Sequence, residues 1–175
     1  MRASYFSKDV QEFLKLLAAH KVRYLIVGGE AVIYHGYARL TGDADFFFEP
    51  SKQNARKLYR ALKEFWAGDI PGIRTFEELM EVGPILQFGV PPNRIDLINQ
   101  ITSVTFREAW ENKTRNSIES AGEEIPIYFI GLEELIKNKK AIGRPKDMAD
   151  LKYLRGRKKL RKKKAEVTTS TKHST

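Results

Sequence analysis

The sequence predicts an α+β fold: a mixed β-sheet flanked by helices, in a single domain covering residues 1–154. Three observations carry that expectation. Apolar residues recur at helical spacing at Val10, Phe13, Leu14 and Leu17, and again at Ala55, Leu58, Tyr59 and Leu62. Short apolar runs of strand length occur near Tyr24–Val27, Asp43–Phe48, Ile85–Val90, Arg94–Ile98 and Ile125–Ile130. The 175 residues are 42% hydrophobic and 30% charged, enough apolar side chain for one sizeable core.

In chain order, Ser7 is placed to cap a first helix that ends near His20, which reads as a surface or helix-terminal residue. Tyr24–Val27 follows as a strand and stops at Gly28-Gly29. A short helix from Glu30 to His35, broken by Gly36, leads into a polar loop and the strand that begins at Asp43. Pro50-Ser51 opens a helix whose outer side carries Arg56, Lys57, Arg60 and Lys63, a charge pattern typical of a solvated face. A short helix is expected around Phe76–Met80. The strands at Ile85–Val90 and Arg94–Ile98 are joined by a turn at Pro91-Pro92-Asn93. A helix is expected over Thr102–Lys113, a hairpin around Ala121-Gly122, and a helix over Gly131–Lys140. The turn Ala141–Asp147 leads to a last helix capped by Asp147.

The chain's chemistry concentrates between Tyr24 and Phe48. Side chains alternate faces along a strand, so Asp43 and Asp45 project side by side, with Phe46 and Phe48 opposite and Phe47 on the carboxylates' side. Adjacent carboxylates repel unless a cation lies between them. The glycines let backbone amides approach a phosphate at the start of a helix. Together these features read as a site for a metal-bound nucleoside triphosphate. Glu30 is a first-turn acid, and His35 holds a structural place. Asp96, alone among apolar neighbours on its strand, needs a partner: either a metal shared with Asp43 and Asp45, or an ion pair with Arg94 or another base.

Charge is unevenly spread. Eight of the positive charges fall between Arg155 and Lys164, and removing them from the formal +9 leaves +1 for the rest. That segment has no aromatic residue to stack on bases, so it suits salt-sensitive phosphate attraction or a solvated helix end. Residues 155–175 are expected to form a basic, disordered tail. The absence of cysteine excludes disulfides and thiolate metal sites. No apolar run approaches the roughly 20 residues of a membrane span, and the N-terminus lacks a signal-peptide core, so a cytoplasmic location without membrane partners is expected.

Gly28-Gly29, thirteen intervening residues, then Asp43-Ala44-Asp45 resembles the signature of the DNA polymerase beta-like nucleotidyltransferase superfamily. Arg39 and Thr41 before the acidic pair are similar to its AbiEii/MenT-like toxin–antitoxin branch, as is Lys139 followed by Gly143-Arg144-Pro145-Lys146-Asp147 and Asp150. The resemblance implies a nucleotidyltransferase fold, with Asp43 and Asp45 as catalytic ligands for two Mg²⁺ ions, or Mn²⁺ in their place, and Asp96 as a further ligand of the ion nearest the acceptor. It implies nucleotide binding by Gly28, Gly29, Arg39, Thr41 and Lys139. Lys139 and Asp147 would belong to the active site, with Lys137, Lys140 and Lys146 as the rival lysines in a shifted register. The implied reaction moves a nucleoside monophosphate from a triphosphate to an RNA 3′ end (tRNA included) or a protein hydroxyl, as a toxin with an antitoxin protein partner. A non-catalytic nucleotide-binding or toxin–antitoxin partner protein is the alternative.

Overall fold

The structure, a computed structural model, describes the backbone of residues 5–171 apart from 84, 92 and 121, and side chains as far as residue 160. Helix α1 (Lys8–Ala19) begins where Ser7 Oγ accepts a hydrogen bond from the Val10 amide, and it buries Val10, Phe13, Leu14 and Leu17. The expected helical stripe is thus the buried one. Strand β1 (Tyr24–Ile26) is fully buried. It leads into α2 (Gly28–Tyr34), which incorporates both glycines into its first turn instead of starting after them. Strand β2 (Asp43–Phe48) and helix α3 (Lys52–Phe65) follow, the latter capped by Ser51.

After a 3₁₀ turn (Phe76–Met80) come β3 (Leu86–Phe88), β4 (Arg94–Ile98), α4 (Phe106–Glu111), β5 (Thr114–Ser120), β6 (Glu123–Phe129), α5 (Leu132–Ile142) and α6 (Pro145–Thr171). The helix expected over Thr102–Lys113 is shorter than its apolar content suggests. Ile101 and Val104 form a β-bridge and Ser103 takes φ 64°, so helical geometry begins only after the Thr105 cap. Asp147 lies in the first turn of α6 and does not cap it, because the helix already starts at Pro145. The basic segment continues α6 as far as Thr171, in keeping with the helix-end reading of Arg155–Lys164 and not with a disordered tail beginning at residue 155. Ala121 in the hairpin turn, Pro92 in the turn before β4, the last four residues and the side chains of Arg161–Lys164 lie outside what is described.

The six strands form one mixed sheet in the order β3-β4-β2-β1-β6-β5. Strand β2 runs antiparallel to β1 and parallel to β4, and β1 runs parallel to β6. Helices cover both faces. Phe13 of α1 packs edge-on against Phe46, while Phe47 packs edge-on against Phe106 of α4. Phe46, Phe47 and Phe48 are all buried, so Phe47 is a core residue between sheet and helix. This topology brings the end of β1 and the starts of β2 and β4 to one edge of the molecule, beside α5 and the first turns of α6.

Candidate active site

The β2–β4 pairing fixes the arrangement of charge at that edge. Its register places Asp43 opposite Arg94 and Asp45 opposite Asp96. Directly paired residues of neighbouring strands share a face, so all four side chains project the same way. The sequence-predicted carboxylates are therefore brought together by backbone geometry. Arg94 stands among them: its Nε lies 2.8 Å from Asp96 Oδ1, and its Nη2 lies 3.0 Å from Asp96 Oδ2 and 2.6 Å from Asp43 Oδ2. Gln87, paired with Asp96 across β3 and β4, donates to Asp96 Oδ2 at 3.1 Å. Of the two partners open to Asp96 in the sequence, the structure shows the ion pair with Arg94.

Asp45 is held differently. It packs against the bare Cα of Gly28, where an added Cβ would sit 1.9 Å from Asp45 Oδ2, and Gly28 itself takes φ +58°. No residue with a side chain fits there, which explains the glycine in chemical terms. Burial pushes the Asp45 carboxyl up to about 6, reinforced by the charges of Asp96 and Asp43 and opposed by the Gly29 amide and Lys139. The Gly29 backbone amide is thus aimed at this carboxylate. A Cβ on Gly29 would meet Thr41 Oγ1 at 2.4 Å and Arg39 Nη2 at 3.3 Å. Gly28, Gly29, Arg39 and Thr41 therefore converge on one turn beside the carboxylates.

The second sequence motif forms a buried ionic cluster between α5 and α6. Lys139 Nζ lies 2.7 Å from Asp147 Oδ1 and 2.9 Å from Asp150 Oδ2, and all three side chains are buried. Arg144 Nε reaches Asp147 Oδ2 at 2.7 Å, and Arg39 Nε reaches Asp150 Oδ1 at 3.0 Å. Burial alone would raise the Asp147 carboxyl. The bonds from Arg144 and Lys139, with their charges, outweigh it and hold the carboxyl below its usual range. The same cluster links α6 through Asp150 to Arg39, in the loop that precedes β2.

Lys139 is thus committed to carboxylates inside the protein, while Arg144 keeps 55% of its side chain exposed and lies close enough to feel the charge of Asp45. Arg144 and Asp150 lie outside the set of residues that the resemblance assigns, yet both sit within the matched turn at Asp147 −3 and +3. Helical spacing from Asp147 was the available signal. Gln87 carried none, because its link to Asp96 depends on strand register.

Three hard carboxylates on one face suit a divalent cation such as Mg²⁺, and the close packing of Asp45 on Gly28 presents a carboxylate that burial alone disfavours. Among the described residues they do not converge as a ready ligand cluster, since Asp43 and Asp96 turn toward Arg94. Asp45 makes no ion pair among the described residues, and Arg94 touches Asp43 through Oδ2 alone.

The family that the chain matches is in keeping with this geometry. Residues 7–161 match the profile of a family described as "Nucleotidyltransferase of unknown function (DUF6036)". Among solved structures, the chain is similar to an antigenic nucleotidyltransferase-like protein from Paracoccidioides brasiliensis at 17% identity and a TM-score of 0.47, over 85% of this chain and 77% of that one. No curated protein matches the chain. Among the described residues no helix is long and apolar enough to cross a membrane.

Proposed function

The chain belongs to that nucleotidyltransferase family, and we propose that it transfers a nucleoside monophosphate from a nucleoside triphosphate to a hydroxyl on RNA or protein. The observation that carries this reading is the β2–β4 register, which sets Asp43, Asp45 and Asp96 on one face beside the Gly28-Gly29 turn. A divalent cation on Asp43 and Asp45 would neutralise triphosphate charge and polarise the α-phosphorus. The guanidinium groups of Arg39 and Arg144 attract the phosphate oxygens. Lys139 acts from behind, holding Asp147 and Asp150 so that Arg144 and Arg39 keep their places. The acceptor oxygen bonds to the α-phosphorus, the bond to the bridging α–β oxygen breaks, and pyrophosphate departs. The hydroxyl proton passes to the carboxylate cluster.

The motif around Lys139 and Asp147 supports placing the chain near the AbiEii/MenT-like toxins, with a cytoplasmic toxin role and an antitoxin protein as partner. The test is incubation with Mg²⁺, total RNA, the chain's own protein and each α-labelled triphosphate in turn. Label should appear on one macromolecule and disappear with Asp43→Asn or Asp45→Asn. Label transfer that survives both substitutions rejects the assignment. One observation favours a second reading, a nucleotide-binding protein without transferase activity: Arg94 already engages two of the three carboxylates. Nucleotide binding with no label on any acceptor selects it.

A further inference from the structure

On the β2–β4 face, three negative corners and one positive corner form a grid, with Asp43 opposite Arg94 and Asp45 opposite Asp96. This follows from the backbone. Arg94 and Asp96 are two residues apart on one strand and so share a face, and the parallel register sets Asp43 beside Arg94. The guanidinium grips Asp96 with two nitrogens and reaches Asp43 with one of them. A planar fork matched to a carboxylate is a strong form of ion pair. Gln87 adds a further bond to Asp96, so both Asp96 oxygens are engaged. Asp45, diagonal to Arg94, has no side-chain hydrogen bond of this kind among the described residues and lies against Gly28.

We infer that Arg94 is a built-in cation of this site. Its guanidinium takes the place between Asp43 and Asp96 that a second divalent ion would need, so the protein binds one divalent ion, on Asp43 and Asp45. The inference rests on the nucleotidyltransferase reading above. An arginine does not deprotonate in a protein, so it cannot yield the place by losing its charge. A divalent ion entering between the same carboxylates would have to displace it and would meet its repulsion at close range. Two-ion sites hold their ions about 3.5–4 Å apart to clamp both the entering and the leaving oxygen. Here the Asp96 side of the site is neutralised by a fixed monocation instead. Transfer should accordingly depend on one bound ion, and Arg94 serves as a positioning residue for Asp96 and Asp43.

The test counts Mn²⁺ by equilibrium dialysis and electron paramagnetic resonance, on protein saturated with a triphosphate analogue whose α–β bridge is a methylene. The wild type should hold one ion per nucleotide, and Arg94→Gln should hold two, the second at least tenfold tighter than any weak binding in the wild type. Arg94→Lys keeps the charge and should stay at one. Two ions in the wild type overturn the inference and leave the transferase reading intact, whatever the variants do. One ion in Arg94→Gln, or two in Arg94→Lys, also overturns it. No specific Mn²⁺ in either wild type or Arg94→Gln overturns both this inference and the metal-dependent reading beneath it.

Discussion

Lys139 Nζ and Asp147 Oδ1 meet at 2.7 Å with both side chains almost wholly out of water, and this contact joins α5 to α6. Removing one partner of a buried pair leaves an uncompensated charge, so the contact constrains substitutions more than its net contribution suggests.

Lys139→Met should therefore destabilise the fold by about 3–5 kcal/mol, since Asp147 and Asp150 are both left without their buried cation. Urea denaturation at neutral pH measures this. Because Asp147 is held below the usual carboxylate range, its contribution is present at neutral pH and is lost as pH falls through that range and below. In the Asp147→Asn variant this part of the acid loss should vanish. An unchanged acid limb would show that the pair does not govern it.

The Asp45 carboxyl works in the opposite direction. Its pKa is raised from the ordinary 3.8 to about 6, so the folded state binds more protons than the unfolded chain between those values. Without divalent ions, stability should fall as pH rises from about 4 to about 6, by on the order of 3 kcal/mol from this group. Asp45→Asn should be more stable than wild type at pH 7 without Mg²⁺. Thermal melts across this range, with and without Mg²⁺, read the effect. A wild type more stable than Asp45→Asn in ion-free buffer would contradict it.

Arg144→Gln should cost less stability than Lys139→Met, since Lys139 still holds Asp147 and the guanidinium is half exposed. It should weaken triphosphate binding about tenfold, the scale of one charge-assisted hydrogen bond. Calorimetry with a non-hydrolysable triphosphate checks this. Equal affinity in the two proteins removes Arg144 from the phosphate-binding groups.

Gly28→Ala forces a Cβ to 1.9 Å from Asp45 Oδ2 at a residue with φ +58°. The left-handed conformation alone costs about 1–2 kcal/mol, and the carboxylate must also move. Nucleotide- and Mg²⁺-dependent thermal shifts should be lost while the far-ultraviolet circular dichroism persists. A retained shift would mean that the position of Asp45 against the glycine does not matter for binding.

The basic end of α6 is tied to the body in part. Arg157 Nε donates to the His35 carbonyl at 3.3 Å, and Lys158 pairs with Glu133. A truncation after Leu160 preserves both of these interactions and removes Arg161, Lys162, Lys163 and Lys164. If RNA is the acceptor, the slope of log affinity against log salt should fall by about 0.7 for each phosphate that the removed side chains had neutralised, with nucleotide affinity unchanged. An identical slope in the truncated protein excludes these charges from RNA binding.

Residue spacing along the chain specified the elements whose signals are local. The Ser7 cap, the helix opened by Pro50-Ser51, the stripe Val10–Leu17 and the strands around Tyr24 and Asp43 depend on periodicity and capping, and each appears where spacing places it. It also determined that Asp43 and Asp45 share a face, since strand alternation needs only two residues. Tertiary structure decided what those carboxylates touch. Placing Asp96 beside Asp45 required the β2–β4 register, and placing Arg94 between Asp43 and Asp96 required the same pairing. The local sequence between Thr102 and Lys113 could not reveal that a β-bridge would delay α4. Composition left open whether the basic segment extends α6 or leaves it as a tail, because continuation of a helix depends on its anchored first turns. The burial of Lys139 follows from the packing of α5 on α6, a contact between helices that no periodicity encodes. Local order is written in spacing, whereas the charge environment arises only when distant strands and helices meet.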